Sequence, residues 1–186
     1  TSHFSASKTP IVVCFKTSSV EKITLPGGSM LPPVVHDQFE LQGEIFQIAQ
    51  FEPVYTKSSN SQFIVELALQ FINAPYLWGG KSLFGIDCSG LTQVVFSMAG
   101  IILPRDASQQ VELGTVVDFL AEVQPGDLAF FENSEGTINH VGILINSHQI
   151  IHASGCVKKE IIDSQGIISF QTGEYSHHLR IIKRVL

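Results

Sequence analysis

Asp87-Cys88-Ser89-Gly90-Leu91-Thr92-Gln93-Val94-Val95-Phe96-Ser97-Met98-Ala99-Gly100 is the stretch on which the organisation of the chain turns. Leu91, Val94, Val95 and Met98 recur at helical spacing, Asp87 can cap the first turn, and Gly100 supplies a stop. Cys88 then falls in the first turn, facing the positive end of the helix dipole and unpaired backbone N–H groups, an environment that favours thiolate. A lone cysteine is more commonly a small buried apolar residue. The polar, tight entry formed by Asp87, Ser89 and Gly90 is odd packing for a merely structural thiol, so Cys88 is the candidate nucleophile.

Upstream, Ile64, Leu67, Ala68, Phe71 and Ile72 predict another helix over 63–72, halted before Asn73-Ala74-Pro75. Tyr76-Leu77-Trp78-Gly79-Gly80 then reads as a loop. Downstream of Leu103-Pro104-Arg105-Asp106, apolar segments at 128–131, 140–145, 149–153 and 179–186, with a weaker region at 161–168, predict strands. Helices followed by a run of antiparallel strands define an α+β fold.

A nucleophilic cysteine requires a base, and the base requires a partner that holds its tautomer. The loop Asn146-Ser147-His148 is short enough for a hairpin. If Ile145 faces Gln149 across it, His140 lies opposite Ser154 and His152 opposite Gly142. The two histidines are then diagonal neighbours on one sheet face. The alternative is two unrelated histidines on a half-exposed face. His3, His36, His148, His177 and His178 lack such context and read as surface residues.

The first sixty residues carry short apolar stretches (11–15, 39–41, 45–48) punctuated by Pro26-Gly27-Gly28-Ser29 and Pro32-Pro33, the pattern of a small β module. Lys57-Ser58-Ser59-Asn60-Ser61 has linker composition. The expected division is a module over 1–60 and a larger domain over 61–186.

The 186 residues include 44% hydrophobic and only 15% charged side chains, with 13 Phe, enough to build a core. A net charge of −6 with 11 Lys+Arg offers no field for a phosphate backbone, so nucleic acid is excluded as a partner. The apolar run Ile11 to Phe15 is far short of a membrane span. The chain starts at Thr1; the cytoplasm is the favoured compartment, with periplasm or cell envelope the alternative if a leader has been removed. Cys14, Cys88 and Cys156 form neither a disulfide framework nor a zinc pattern, so at least one thiol is expected free. His140, His148 and His152 lack a cysteine or carboxylate at ligand spacing, so neither a metal nor a cofactor is expected.

Six motifs occur in order: Tyr76-Leu77-Trp78-Gly79-Gly80, Asp87-Cys88-Ser89-Gly90-Leu91, Leu103-Pro104-Arg105-Asp106, Gln124-Pro125-Gly126-Asp127-Leu128-Ala129-Phe130-Phe131, His140-Val141-Gly142-Ile143 and Ile151-His152-Ala153. Together they resemble the NlpC family of bacterial cell-wall cysteine peptidases over roughly residues 62 to 155. The resemblance implies a papain-like catalytic domain, helices packed on an antiparallel sheet, preceded here by a module whose size fits an SH3-like barrel. It implies Cys88 as nucleophile, His140 as base and acid, His152 as its orienting partner, and the Tyr76 hydroxyl as an oxyanion donor. Trp78 would form a pocket wall. Asp87 would meet the free amine of an L-alanine, cap the helix, or both, while Ser89 and Asp106 would line the substrate groove. Ala107 stands where relatives often carry Ser.

The implied substrate is a peptidoglycan stem peptide or muropeptide, cut between γ-D-glutamate and the diamino acid by a monomer. Amidases and acyltransferases share the Cys-His chemistry, and a catalytically silent wall-binding module is the alternative of another class. Glu44, Glu52 and Tyr55 of the amino-terminal module would approach the groove if the module packs against it.

Overall fold

Alternating apolar residues build the amino-terminal sheet. The computed structural model describes residues 6–19, 21–49, 53–54 and 60–186. Its first part holds β1 (Ala6–Ser7), β2 (Ile11–Lys16), β3 (Lys22–Pro26), β4 (Gln38–Leu41), β5 (Glu44–Ile48) and β6 (Pro53–Val54). Strands β3-β2-β5-β4 form one antiparallel sheet, and β1 pairs with β6. Val12, Cys14, Leu31, Phe39, Phe46 and Ile48 make a separate small core, in which the Phe39 and Phe46 rings stack 5.2 Å apart. Strand β3 has no counterpart in the apolar stretches expected from sequence, because its Ile23 and Leu25 alternate with polar or turn residues. Glu44 is tied within this module by Lys16 at 3.0 Å and by the Ser18 hydroxyl. Glu52 and Tyr55 lie outside the described residues.

The turn at Gly28 seats this sheet on the second helix. Gly28 has φ +72°, a conformation that disfavours any side chain, and a Cβ there would meet the Val94 carbonyl oxygen at 3.0 Å. Backbone and helix can therefore touch, and the Ser97 hydroxyl donates to the Gly28 carbonyl at 2.8 Å.

The first helix, α1 (Ser61–Leu69), starts where the Asn60 side chain accepts from the Gln62 N–H. It ends three residues earlier than its periodicity suggests, in turns leading to Asn73 at φ +70°. A short hairpin, β7 (Lys81–Ser82) and β8 (Gly85–Ile86), leads into α2 (Cys88–Met98) and then the single turn α3 (Ala107–Gln110). Leu67, Phe71, Leu91, Val95 and Phe96 are fully buried. They pack against Leu128, Phe130, Val141, Ile143 and Ile151 from the helix-facing side of the sheet.

That sheet comprises β9 (Thr115–Val117), β10 (Leu128–Glu132), β11 (Ile138–Asn146), β12 (Gln149–Ser154), β13 (Cys156–Ile162), β14 (Gly166–Ile168) and β15 (Tyr175–Arg184). Its order is β10-β11-β12-β13-β14-β15, and β15 pairs back onto β10, closing a six-stranded antiparallel, barrel-like ring with β9 attached to β15. Strand alternation sends Ala129, Phe131, Leu144, Ile150, Ile162, Ile167 and Ile182 into a second core on the inner side. The chain is thus α+β, with few helices and more of its described residues in strands than in helices.

Register follows expectation through Gly142↔His152 and Leu144↔Ile150, but the expected Ile145–Gln149 pair does not form. A bulge at Ile145 lets Asn146 face Gln149 instead, because Asn146 uses its side chain to accept from the His148 N–H in the turn. Strand β15 begins at Tyr175, four residues before the apolar run starting at Leu179, and this carries His177 into the sheet.

Candidate active site

Cys88 is placed by the start of α2. The Asp87 side chain accepts from Gly90 N–H at 2.7 Å and from Gly79 N–H at 2.7 Å, so one carboxylate caps the helix and fixes the preceding loop. Gly90 allows this closeness, since any Cβ there would collide with the Gly80 carbonyl oxygen. Arg105 donates to both Asp87 oxygens and, at 2.9 Å, to the Ser89 hydroxyl. Burial alone would raise the Asp87 carboxyl, but Arg105 and the Gly90 and Gly79 N–H groups hold it below the ordinary range. Gln110, fully buried, donates to the Ser89 and Pro104 carbonyls and accepts from the Thr92 hydroxyl, tying the 103–106 loop to the first turn of α2.

The thiol itself is 7% exposed. Burial pushes the Cys88 thiol up; the Val141 N–H, bonding to it from strand β11, opposes this. The expected preference for thiolate is therefore corrected: desolvation outweighs the helix-end N–H groups, and the resting side chain is the neutral thiol. His140 precedes Val141 on β11 and is 6% exposed. Burial, followed by neighbouring His177 and His152, holds its ring well below the usual histidine range, so it is neutral too.

His140 and His152 meet as the diagonal register requires. His140 Nε2 lies 2.9 Å from His152 Nδ1, and His152 Nε2 lies 2.8 Å from Glu160 Oε2. Burial lowers His152 while Glu160 opposes that shift. Glu160 is 2% exposed and has no role in the reading of the sequence. Strand periodicity could have found it, because Lys158, Glu160 and Ile162 share one face of β13 and Lys158 is the register partner of His152.

His177 is a second correction. It is not an isolated surface residue: its ring stacks on His140 with centroids 4.0 Å apart and planes inclined by 26°. Burial, with charge neighbours secondary, lowers it to about 4. The alternation His177, Leu179, Ile181 was the available signal. One ring nitrogen from each of His140, His152 and His177 lies within 4.8 Å of the other two. Both His152 nitrogens and one of His140 are committed to hydrogen bonds, so the cluster is a hydrogen-bonded relay with a stacked cover.

The remaining residues expected at the site surround a cleft of about 610 Å³. Trp78, 84% exposed, stands on its wall; Asp87, Cys88, Ser89, Arg105 and Asp106 line it. Tyr76 is half-buried, and its phenol is raised first by burial and then by nearby Cys88 and Asp87, so it is a neutral donor beside the thiol. Arg105 is a charged lining residue to which the sequence assigned no role, although its motif was visible. All three cysteines are free thiols, with Cys14 in the module core.

A thiol at a helix start beside a buried histidine relay on an antiparallel sheet has the layout of a thiol-dependent hydrolase. The chain belongs to the NlpC/P60 family, whose model matches residues 73–181. It is 32% identical over 152 residues to the γ-D-glutamyl-L-lysine dipeptidyl-peptidase of Bacillus subtilis, covering 77% of this chain and 51% of that protein. An NlpC/P60 family crystal structure from Bacillus cereus superposes with a TM-score of 0.81 at 24% identity, covering 98% of this chain and 63% of the other. The NlpC/p60 domain of the peptidoglycan hydrolase SagA superposes with a TM-score of 0.53 at 29% identity, over 67% of this chain and 98% of that domain. The chain spans about half the length of the Bacillus subtilis relative.

Proposed function

We propose that the protein is a cysteine peptidase that cuts peptidoglycan stem peptides between γ-D-glutamate and the diamino acid, favouring stems whose L-alanine amine is free. The observation that carries this reading is the Cys88 thiol opening onto a charged cleft and bonded by the N–H of Val141, the residue that follows His140 on β11, with His140 in turn 2.9 Å from His152. The thiol gives its proton to His140 as sulfur attacks the γ-carbonyl. The imidazolium returns that proton to the leaving amine, and water then hydrolyses the thioester. Tyr76 and the Cys88 N–H are assigned to the oxyanion. The Arg105 guanidinium suits the α-carboxylate left free by a γ-linkage, and Asp87 with Asp106 suits the ammonium. Residues 1–60, read as an SH3-like unit beside the 61–186 catalytic unit, would close the groove beyond the alanine. The free amine suits a recycling step on released fragments.

The test compares L-Ala-γ-D-Glu-diaminopimelate, its N-acetylated form and intact sacculi, with products identified by mass. The free tripeptide should yield L-Ala-D-Glu and diaminopimelate. Because Asp87 already shares its charge with Arg105, capping the amine should lower kcat/KM by roughly tenfold, about 1.4 kcal/mol. Cleavage at another bond would overturn the substrate assignment, and equal rates on free and acetylated peptide would remove amine recognition.

A further inference from the structure

Glu160 is a buried charged group, in contact with the histidine pair, that the chemistry above leaves without a task. Its carboxylate is surrounded by donors: Oε1 accepts from Phe170 N–H at 3.1 Å and from the Lys158 ammonium at 3.3 Å, while Oε2 faces His152 Nε2 at 2.8 Å. An ionised carboxylate only accepts. His152, neutral, must therefore carry its single hydrogen on Nε2, which leaves Nδ1 as an acceptor. The group 2.9 Å from that acceptor is His140 Nε2, which must in turn donate. The one hydrogen of neutral His140 is then used, and its Nδ1 is bare.

We infer that Glu160 is a positioning residue that sets the tautomers of both histidines through this chain of bonds, leaving His140 Nδ1 free to take the Cys88 proton. The inference rests on the thiol-peptidase reading for its consequence, but not for the tautomers themselves. When the thiol proton arrives at Nδ1, His140 keeps its Nε2 hydrogen toward His152 and becomes the imidazolium; Glu160 stays ionised and no proton moves along the relay. Although burial alone would raise Glu160, its bonds from His152 and Phe170 hold it at about 2, so it remains an acceptor throughout the working range.

A neutral amide at this position could reverse the chain. Its NH2 could donate to His152 Nε2, moving the hydrogens to His152 Nδ1 and His140 Nδ1, where a hydrogen blocks proton transfer from the thiol. Glu160→Gln is thus nearly isosteric and differs in the property at issue.

The experiment is two-bond ¹H–¹⁵N correlation NMR of the histidine-labelled protein at neutral pH, alongside kinetics on L-Ala-γ-D-Glu-diaminopimelate. In the wild type both His140 and His152 should be Nε2–H tautomers. In Glu160→Gln both should become mixed or reversed, with kcat lower by about ten- to a hundredfold and KM within about twofold, a smaller loss than removing a direct histidine partner. Glu160→Asp, which keeps the charge, should retain the wild-type tautomers. An Nδ1–H tautomer at wild-type His140 overturns the inference even if the variants fail to fold. Unchanged tautomers in Glu160→Gln overturn it whatever the rate. A wild type that leaves the peptide intact defeats the peptidase reading alone, since the spectra need no substrate.

Discussion

Cys88 is subject to two opposed influences: the N–H groups at the start of α2 favour its thiolate, and 7% exposure favours its thiol. Burial wins, and the partner His140 is lowered by the same cause, so neither half of a thiolate–imidazolium pair is stabilised at rest. The expected signature is slow alkylation of Cys88 by iodoacetamide at pH 7 that accelerates as pH rises through 9, read by peptide mass spectrometry. A rate already at its plateau at pH 6 would mean a preformed ion pair. Cys88→Ala should leave less than about a hundredth of the peptidase activity, in line with the loss of other catalytic nucleophiles. Its melting temperature should move by only a few degrees, because the side chain is small and one face already borders the cleft.

At the scale of elements, the first turn of α2 is held by two other segments. Gly79 and Gly80 approach it from the loop before β7, and Arg105 with Gln110 fastens it to the loop and single turn that follow. Arg105 bridges both Asp87 oxygens and the Ser89 hydroxyl with a planar fork that an ammonium cannot reproduce. Arg105→Lys should therefore loosen the helix start on which the nucleophile sits. Stability should fall by about 1–3 kcal/mol, as for loss of a charge-assisted bond to a buried partner, and kcat should fall with it. Chemical denaturation with unchanged m-value, beside steady-state kinetics, measures both; wild-type values for each would show that the Asp87 cap holds without Arg105. The Asp87 cap and the α2 stripe were legible in the sequence because they are local. Arg105 was visible as part of a motif, but its partner lies eighteen residues away, and no local rule assigns that pairing. Strand alternation gave the His140–His152 diagonal through one short hairpin. Glu160 sits in the charged run Lys158-Lys159-Glu160, which masks strand β13 although its pairing with β12 is local, whereas His177 lies on β15, whose place beside β10 depends on closure of the whole ring.

For the whole molecule, gathering three histidines in one cluster links folding to pH. His140, His152 and His177 are all lowered, chiefly by burial, with His177 at about 4. Unfolded, each would titrate near 6.5, so between about pH 6.5 and 4 the unfolded chain binds more protons than the native one. Stability then falls as pH drops through this window, with a slope of up to about 1.4 kcal/mol per pH unit for each fully buried histidine. Solvent screening reduces the share of half-buried His177. The carboxylates act lower: Asp87 and Glu160 are depressed, Glu160 to about 2, so their stabilisation is present above the ordinary carboxylate range and is lost only on descending toward 2. Acid unfolding should therefore begin in the histidine range, with the melting temperature dropping by several degrees or more between pH 7 and 5. His177→Gln should flatten part of that descent without abolishing it, since His140 and His152 remain. A melting temperature that stays level from pH 7 to 5 would mean that the buried relay accepts protons in the native state as readily as in the unfolded chain, contradicting the neutral resting state on which the Cys88 alkylation profile depends.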